Sequence, residues 1–220
     1  MKALLTSAGI TNKTLERAFQ DLVGKPFKET KVAFIPTAAD VEPGHKDWFV
    51  DNINQFFNLG IGSFDVVDIA ALERKFWEAR LEAADVLYVS GGNEYFLMYH
   101  ILKSGLIEVL PKLLEQRVWV GVSAGSMVLG KRIAPEYIKL IYEEEILPPF
   151  DKVDSFLNFV DFSIKPHMNS PHFPKASQES LDRYAPQILD TFYGLDDNSA
   201  IKIVGDNIEV VSEGDWKKYN

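Results

Sequence analysis

Short runs of branched apolar residues alternate along the chain with longer stretches in which apolar residues recur every three or four positions. Residues 3–6, 32–36, 64–69, 86–90 and 118–122 read as strands. Between them, residues 13–23 place Leu15, Phe19 and Leu22 on one helical face, and residues 47–57 do the same with Trp48, Phe49, Ile53, Phe56 and Phe57. Residues 72–81, 95–102, 107–115 and 124–129 continue the helical series. Strands this short and continuously apolar are buried on both faces. Separated by helices, they predict an α/β fold with a mostly parallel central sheet and helices on both sides.

After Gly130 the regularity weakens. Residues 162–165 and the apolar run 191–195 read as strands, and residues 174–189 as mostly helical. Residues 201–204 and 208–211, around Gly205-Asp206-Asn207, predict a small antiparallel C-terminal hairpin. With no internal repeat, low-complexity tract or linker, residues 1–220 are expected to form a single domain.

Composition narrows the function. Of 220 residues, 46% are apolar, with 15 Phe, 8 Tyr and 4 Trp, which is ample material for a core. The formal net charge of -9 makes nucleic acid and anionic membranes poor partners, because phosphates would repel the chain. Cysteine is absent, which removes disulfides, zinc–cysteine sites and thiol nucleophiles together. Residues 1–7 are apolar over too short a run for a signal peptide, so a cytoplasmic protein, monomer or homodimer, is expected.

In a parallel sheet, sites form beyond the carboxyl ends of the strands. Four such ends carry small residues: Ser7-Ala8-Gly9, Thr37-Ala38-Ala39, Ser90-Gly91-Gly92-Asn93 and Ser123-Ala124-Gly125. The strongest signal is Gly121-Val122-Ser123-Ala124-Gly125, a G-x-S-x-G between a strand and a helical stretch. A serine displayed on such a turn needs glycines two before and two after it, where side chains would strike the neighbouring strand and helix. The helix N-terminus behind it offers amides to a developing oxyanion. Gly91 and Gly92 expose amides that, with that of Ala124, complete an oxyanion hole.

Serine needs a base, and the chain offers His45, His100, His167 and His172. His167 follows a strand through Pro166 and ranks first, with His172 in the next loop and His45 in a strand-end loop behind it. His100 falls inside a helix. An orienting carboxylate is sought next. Asp196 and Asp197 both follow the run 191–195 and are chemically indistinguishable, with Glu136 in reserve.

Together these pieces resemble the peptidase E family, the S51 serine peptidases that include aspartyl dipeptidase and cyanophycinase. The resemblance rests on Val89-Ser90-Gly91-Gly92-Asn93, Gly121-Val122-Ser123-Ala124-Gly125-Ser126, Pro166-His167 and Gly194-Leu195-Asp196-Asp197-Asn198-Ser199-Ala200. It implies a class I glutamine amidotransferase-like fold with serine at the elbow in place of cysteine. It also implies a Ser-His-Glu triad that falls on Ser123, His167 and Asp197. Aspartate here is one C–C bond shorter than the family's glutamate, about 1.5 Å.

The family's aspartyl dipeptidases hold the substrate aspartate with an arginine after the histidine. Here that stretch offers Lys175 and Arg183, which with Asn93 are the substrate-binding candidates. The reading is a dipeptidase-like serine peptidase acting on short peptides or isopeptides, with no metal or organic cofactor. Two alternatives are an α/β-hydrolase esterase and a non-catalytic amidotransferase-like binding module. The esterase is disfavoured because its order is serine, acid, histidine.

Overall fold

A computed structural model describes residues 1–134, 137 and 148–220. Five parallel strands form the heart of the fold: β1 (Lys2–Thr6), β2 (Lys31–Ile35), β3 (Ser63–Val66), β4 (Val86–Val89) and β5 (Val118–Val122). Near the C-terminus, β8 (Ser199–Val204) and β9 (Asn207–Ser212) form the expected hairpin. They join this same sheet, because β8 pairs antiparallel with β1. The seven-stranded order is β3-β2-β4-β5-β1-β8-β9.

Alternation along each strand divides two cores. Leu4, Val32, Phe34, Val86 and Tyr88 pack against Leu15 and Phe19 of α1 (Lys13–Val23) and Phe56 of α2 (Asp47–Asn58). Ala3, Leu5, Ile35, Leu87 and Val89 face the opposite way. They meet α3 (Arg74–Ala83), α4 (Glu94–Lys103), α5 (Leu106–Gln116) and the single turn α6 (Ala124–Met127). Burying these side chains on both faces is the main force holding the sheet. Local signals trim the helices: Asn12 caps α1, accepting from the Leu15 amide at 3.0 Å, and Gly24 ends it with φ 70°.

A second sheet, in the order β10-β7-β6, combines β6 (Ser163–Lys165), β7 (Phe192–Leu195) and β10 (Trp216–Tyr219). The strand β10 was not expected from the apolar pattern. Met168, Leu181, Ile188, Phe192 and Tyr219 form a small core beneath it. The expected helix over 174–189 is broken. A 3-10 turn at Pro174–Ala176, α7 (Gln178–Tyr184) and a second 3-10 turn at Ala185–Gln187 replace it. Pro174 opens the first turn and Pro186 is the second residue of the other, and neither can donate a helical backbone N–H. The strand expected over 64–69 stops at Val66, although Val67 and Ile69 remain buried.

Candidate active site

Ser123 sits where β5 turns into α6, with φ 46° and ψ -109°. A non-glycine residue in that region carries strain on the order of 1–3 kcal/mol, which the surroundings must impose. They do so through backbone hydrogen bonds: the Ser123 amide donates to Thr6 O at 3.0 Å, and the Ser126 and Met127 amides donate to Ser123 O at 2.9 Å. The flanking glycines are required by space. A Cβ on Gly121 would lie 2.5 Å from the Gly125 carbonyl carbon, and one on Gly125 would lie 2.3 Å from Val89 O.

His167 follows β6 through Pro166 and also has a positive φ, 63°. Its Nε2 lies 3.0 Å from Ser123 Oγ and its Nδ1 2.7 Å from Asp197 Oδ1. The Phe173 ring stacks on the imidazole, with centroids 4.5 Å apart and planes inclined by 12°. Burial pushes the Asp197 carboxyl up, but the His167 hydrogen bond and charge, with hydrogen bonds from Ser7 and Ser170, outweigh it and leave the pKa lowered.

The neighbouring Asp196 is occupied otherwise. Its carboxylate accepts from the Asn198 amide, the Ser199 hydroxyl and the Asp215 amide, closing the turns around β8 and β10. Geometry thus separates two aspartates that chemistry left equivalent.

Ser7, at the end of β1, is the residue that sequence reasoning passed over. Its hydroxyl accepts the His167 backbone N–H at 2.8 Å and donates to Asp197 Oδ1 at 3.0 Å. The available signal was its place after a strand, in one of the four small-residue ends.

Gly91 and Gly92 lie beside the serine. A Cβ on Gly91 would be 3.4 Å from Ser123 Cβ. Gly92 has φ 127°, and a Cβ there would meet Ala38 O at 2.1 Å. Asn93 caps α4, its Oδ1 accepting from the Phe96 amide at 2.9 Å. These residues line a cavity of about 760 Å³, together with Ser123, His167 and Asp197.

His45 and His172 also line the cavity, whereas His167 is the histidine on Ser123. His100 lies on α4 with its ring against Phe96 and Tyr99, and burial lowers its pKa. Two expected binding residues are misplaced. Neither Lys175 nor Arg183 belongs to the described cavity wall; Lys175 is exposed in the turn before α7, and Arg183 pairs with Glu179 at 3.1 Å on that helix's surface. Glu136 lies outside the described residues. Among the described residues no cluster of three or more His, Asp or Glu side chains could hold a metal, and no helix is long and apolar enough to cross a membrane.

The sequence profile of peptidase family S51 matches residues 3–211. The chain belongs to that family. An uncharacterized peptidase of Pasteurella multocida is 28% identical over 195 residues, covering 86% of this chain and 91% of that protein. A peptidase E of Streptomyces coelicolor is 28% identical over 147 residues, 64% of this chain and 58% of that one. A crystal structure of a Listeria monocytogenes protein, provisionally described as a peptidase E, superimposes with TM-score 0.77 at 25% identity. It covers 97% of this chain and 98% of that one. As a member of family S51 the chain is a peptidase, carried by the α/β fold of its structural neighbour.

Proposed function

We propose that the chain is a serine peptidase that cleaves short peptides or isopeptides through an acyl-enzyme on Ser123. Ser123 Oγ attacks the scissile carbonyl carbon while its proton passes to His167 Nε2. The oxyanion of the tetrahedral adduct is held by the amides of Gly91 or Gly92 and of Ala124. His167 gives the proton to the leaving amine as the C–N bond breaks, leaving an ester on Ser123. Water, deprotonated by His167, then attacks that ester and regenerates the serine. Asp197 orients the imidazole and stabilises its protonated form.

The observation that carries this reading is the unbroken chain from Ser123 Oγ through the His167 ring to Asp197 Oδ1, at 3.0 and 2.7 Å. Hydrogen-bond contact between nucleophile, base and orienter is what general-base activation of a hydroxyl needs. The order Ser123, His167, Asp197 along the chain also differs from that of α/β-hydrolase esterases. A cavity of about 760 Å³ suits a small ligand. Stopped-flow cleavage of a chromogenic short-peptide substrate tests it. A burst of about one leaving group per chain, absent in Ser123→Ala, is expected. Steady turnover by Ser123→Ala near the wild-type rate would refute it.

A further inference from the structure

The loop that follows His167 curls back over the ring. The Ser170 amide donates to His167 O at 3.0 Å, and the Phe173 amide to Ser170 O at 3.1 Å. The Ala176 amide then donates to Phe173 O at 2.8 Å, and the Asn169 amide to Ala176 O at 3.2 Å, which closes the loop on itself. Pro174 restrains the backbone of the residue before it as well as its own. Phe173 is therefore held by backbone bonds at both ends, and its half-buried side chain lies in the cavity wall beside His167.

That placement lays one ring flat on the other, with centroids 4.5 Å apart and planes 12° from parallel. It restrains a motion that hydrogen bonds leave open. An imidazole nitrogen bonds in the plane of its ring, here Nδ1 with Asp197 Oδ1 at 2.7 Å and Nε2 with Ser123 Oγ at 3.0 Å. Each bond tolerates a tilt of about 30° before it weakens steeply. The ring can thus rock about the line between its two partners, and rocking swings the Nε2 lone pair off the serine hydroxyl. Among the described residues, Phe173 is the aromatic ring stacked on that imidazole, and its contact acts across the plane.

Charge adds to the contact, though less than it would elsewhere. The imidazole becomes a cation in each proton transfer, and an aromatic face attracts one. The Lys165 ammonium already lies 5.8 Å from the centroid of the Phe173 ring, so a second cation there meets its repulsion. The restraint, rather than the charge, sets the size of the effect.

We infer that Phe173 is a positioning residue of the peptidase: its ring fixes the tilt of the His167 imidazole and keeps Nε2 aligned on Ser123 Oγ. The inference deepens the serine-peptidase reading and rests on it. Phe173 exchanges no proton and acts through His167 alone.

Two assays on Phe173→Leu and Phe173→Tyr test it, since leucine keeps the apolar bulk and tyrosine keeps the flat ring. In cleavage of a chromogenic short peptide, Phe173→Leu should lower kcat about tenfold with KM within about twofold, and Phe173→Tyr should restore most of the loss. Modification of Ser123 by diisopropyl fluorophosphate needs the activated serine but not the peptide-binding wall. Its rate should fall by a similar factor in Phe173→Leu and recover in Phe173→Tyr. A wild-type kcat and labelling rate in Phe173→Leu overturn the inference, as does a tyrosine variant no better than the leucine one. A change confined to KM, with labelling unaltered, also overturns it and makes Phe173 a wall for substrate. Should Phe173→Leu fail to fold, proton NMR of the wild-type chain still decides. The His167 ring protons, assigned by their loss in His167→Ala, should be displaced upfield by the Phe173 ring current, and undisplaced resonances overturn the stack. A wild-type chain that labels and cleaves while Phe173→Leu matches it sinks this inference alone. A wild-type chain that neither labels nor cleaves sinks the peptidase reading with it.

Discussion

Ser7 donates its hydroxyl to Asp197 Oδ1, the same oxygen that faces His167 Nδ1. Because that hydroxyl also accepts the His167 backbone N–H, one buried side chain at the end of β1 fixes both the base and its orienting carboxylate. Ser7→Ala removes two hydrogen bonds, each worth about 1 kcal/mol net, and leaves the His167 backbone N–H without that partner. It should lower kcat by roughly tenfold and leave KM nearly unchanged. A kcat equal to wild type would reduce Ser7 to a packing residue.

The two adjacent aspartates should separate in opposite ways. Asp197→Asn cannot accept from the imidazole as a carboxylate does, so kcat should fall on the order of 10²–10⁴-fold while the melting temperature changes little. Asp196→Asn weakens the ring of hydrogen bonds from Asn198, Ser199 and Asp215. Its melting temperature should drop while kcat stays within about threefold. Thermal melts and steady-state kinetics on the pair decide the assignment, and reversed outcomes would exchange the two roles.

Gly125→Val should cripple stability as well as activity. Its Cβ would sit 2.3 Å from Val89 O and 2.8 Å from Val89 C, both backbone atoms that cannot swing away. A loss of more than about 3 kcal/mol is expected, at the severe end for a single overpacked site. Denaturant melts measure it, and a wild-type midpoint would mean that the elbow is looser than its contacts.

Stability should also respond to pH through Asp40. Burial and then the Asp68 carboxylate push the Asp40 carboxyl up to about 6, with Lys46 opposing in part. The unfolded value is near ~3.9, so the folded state holds this proton more tightly. That contribution is complete below about pH 4 and is lost as pH rises through 6. Asp40→Asn, neutral at every pH, should therefore raise the melting temperature at pH 7.5, with the gain fading by pH 4. A gain that is constant across that range would mean the carboxylate charge is not the cause.

How far the chain could be read in advance depended on how local each cause is. β1, β2, β4 and β5 were legible because both of their faces are buried, so the run is apolar without interruption. In β10 the reverse holds: Lys217 and Lys218 occupy its middle, and pairing with β7 makes it a strand. The elbow was legible because Gly121 and Gly125 answer to a crowding set by the turn itself. Ser7 was not, because a serine after a strand is ordinary until folding brings residues 7, 167 and 197 together. Lys175 and Arg183 had the right charge for an anion, but Arg183 meets Glu179 one helical turn back on α7, and neither cation lines the described cavity.

Labelling with a fluorophosphonate tests the central claim most directly. The wild-type chain is treated with the reagent, digested, and mapped by mass spectrometry while peptidase activity is followed in parallel. One adduct per chain on Ser123, formed in step with the loss of activity and slowed strongly in His167→Ala, is the predicted result. Full peptidase activity with Ser123 modified, or inactivation that tracks an adduct on a different residue, would contradict the account.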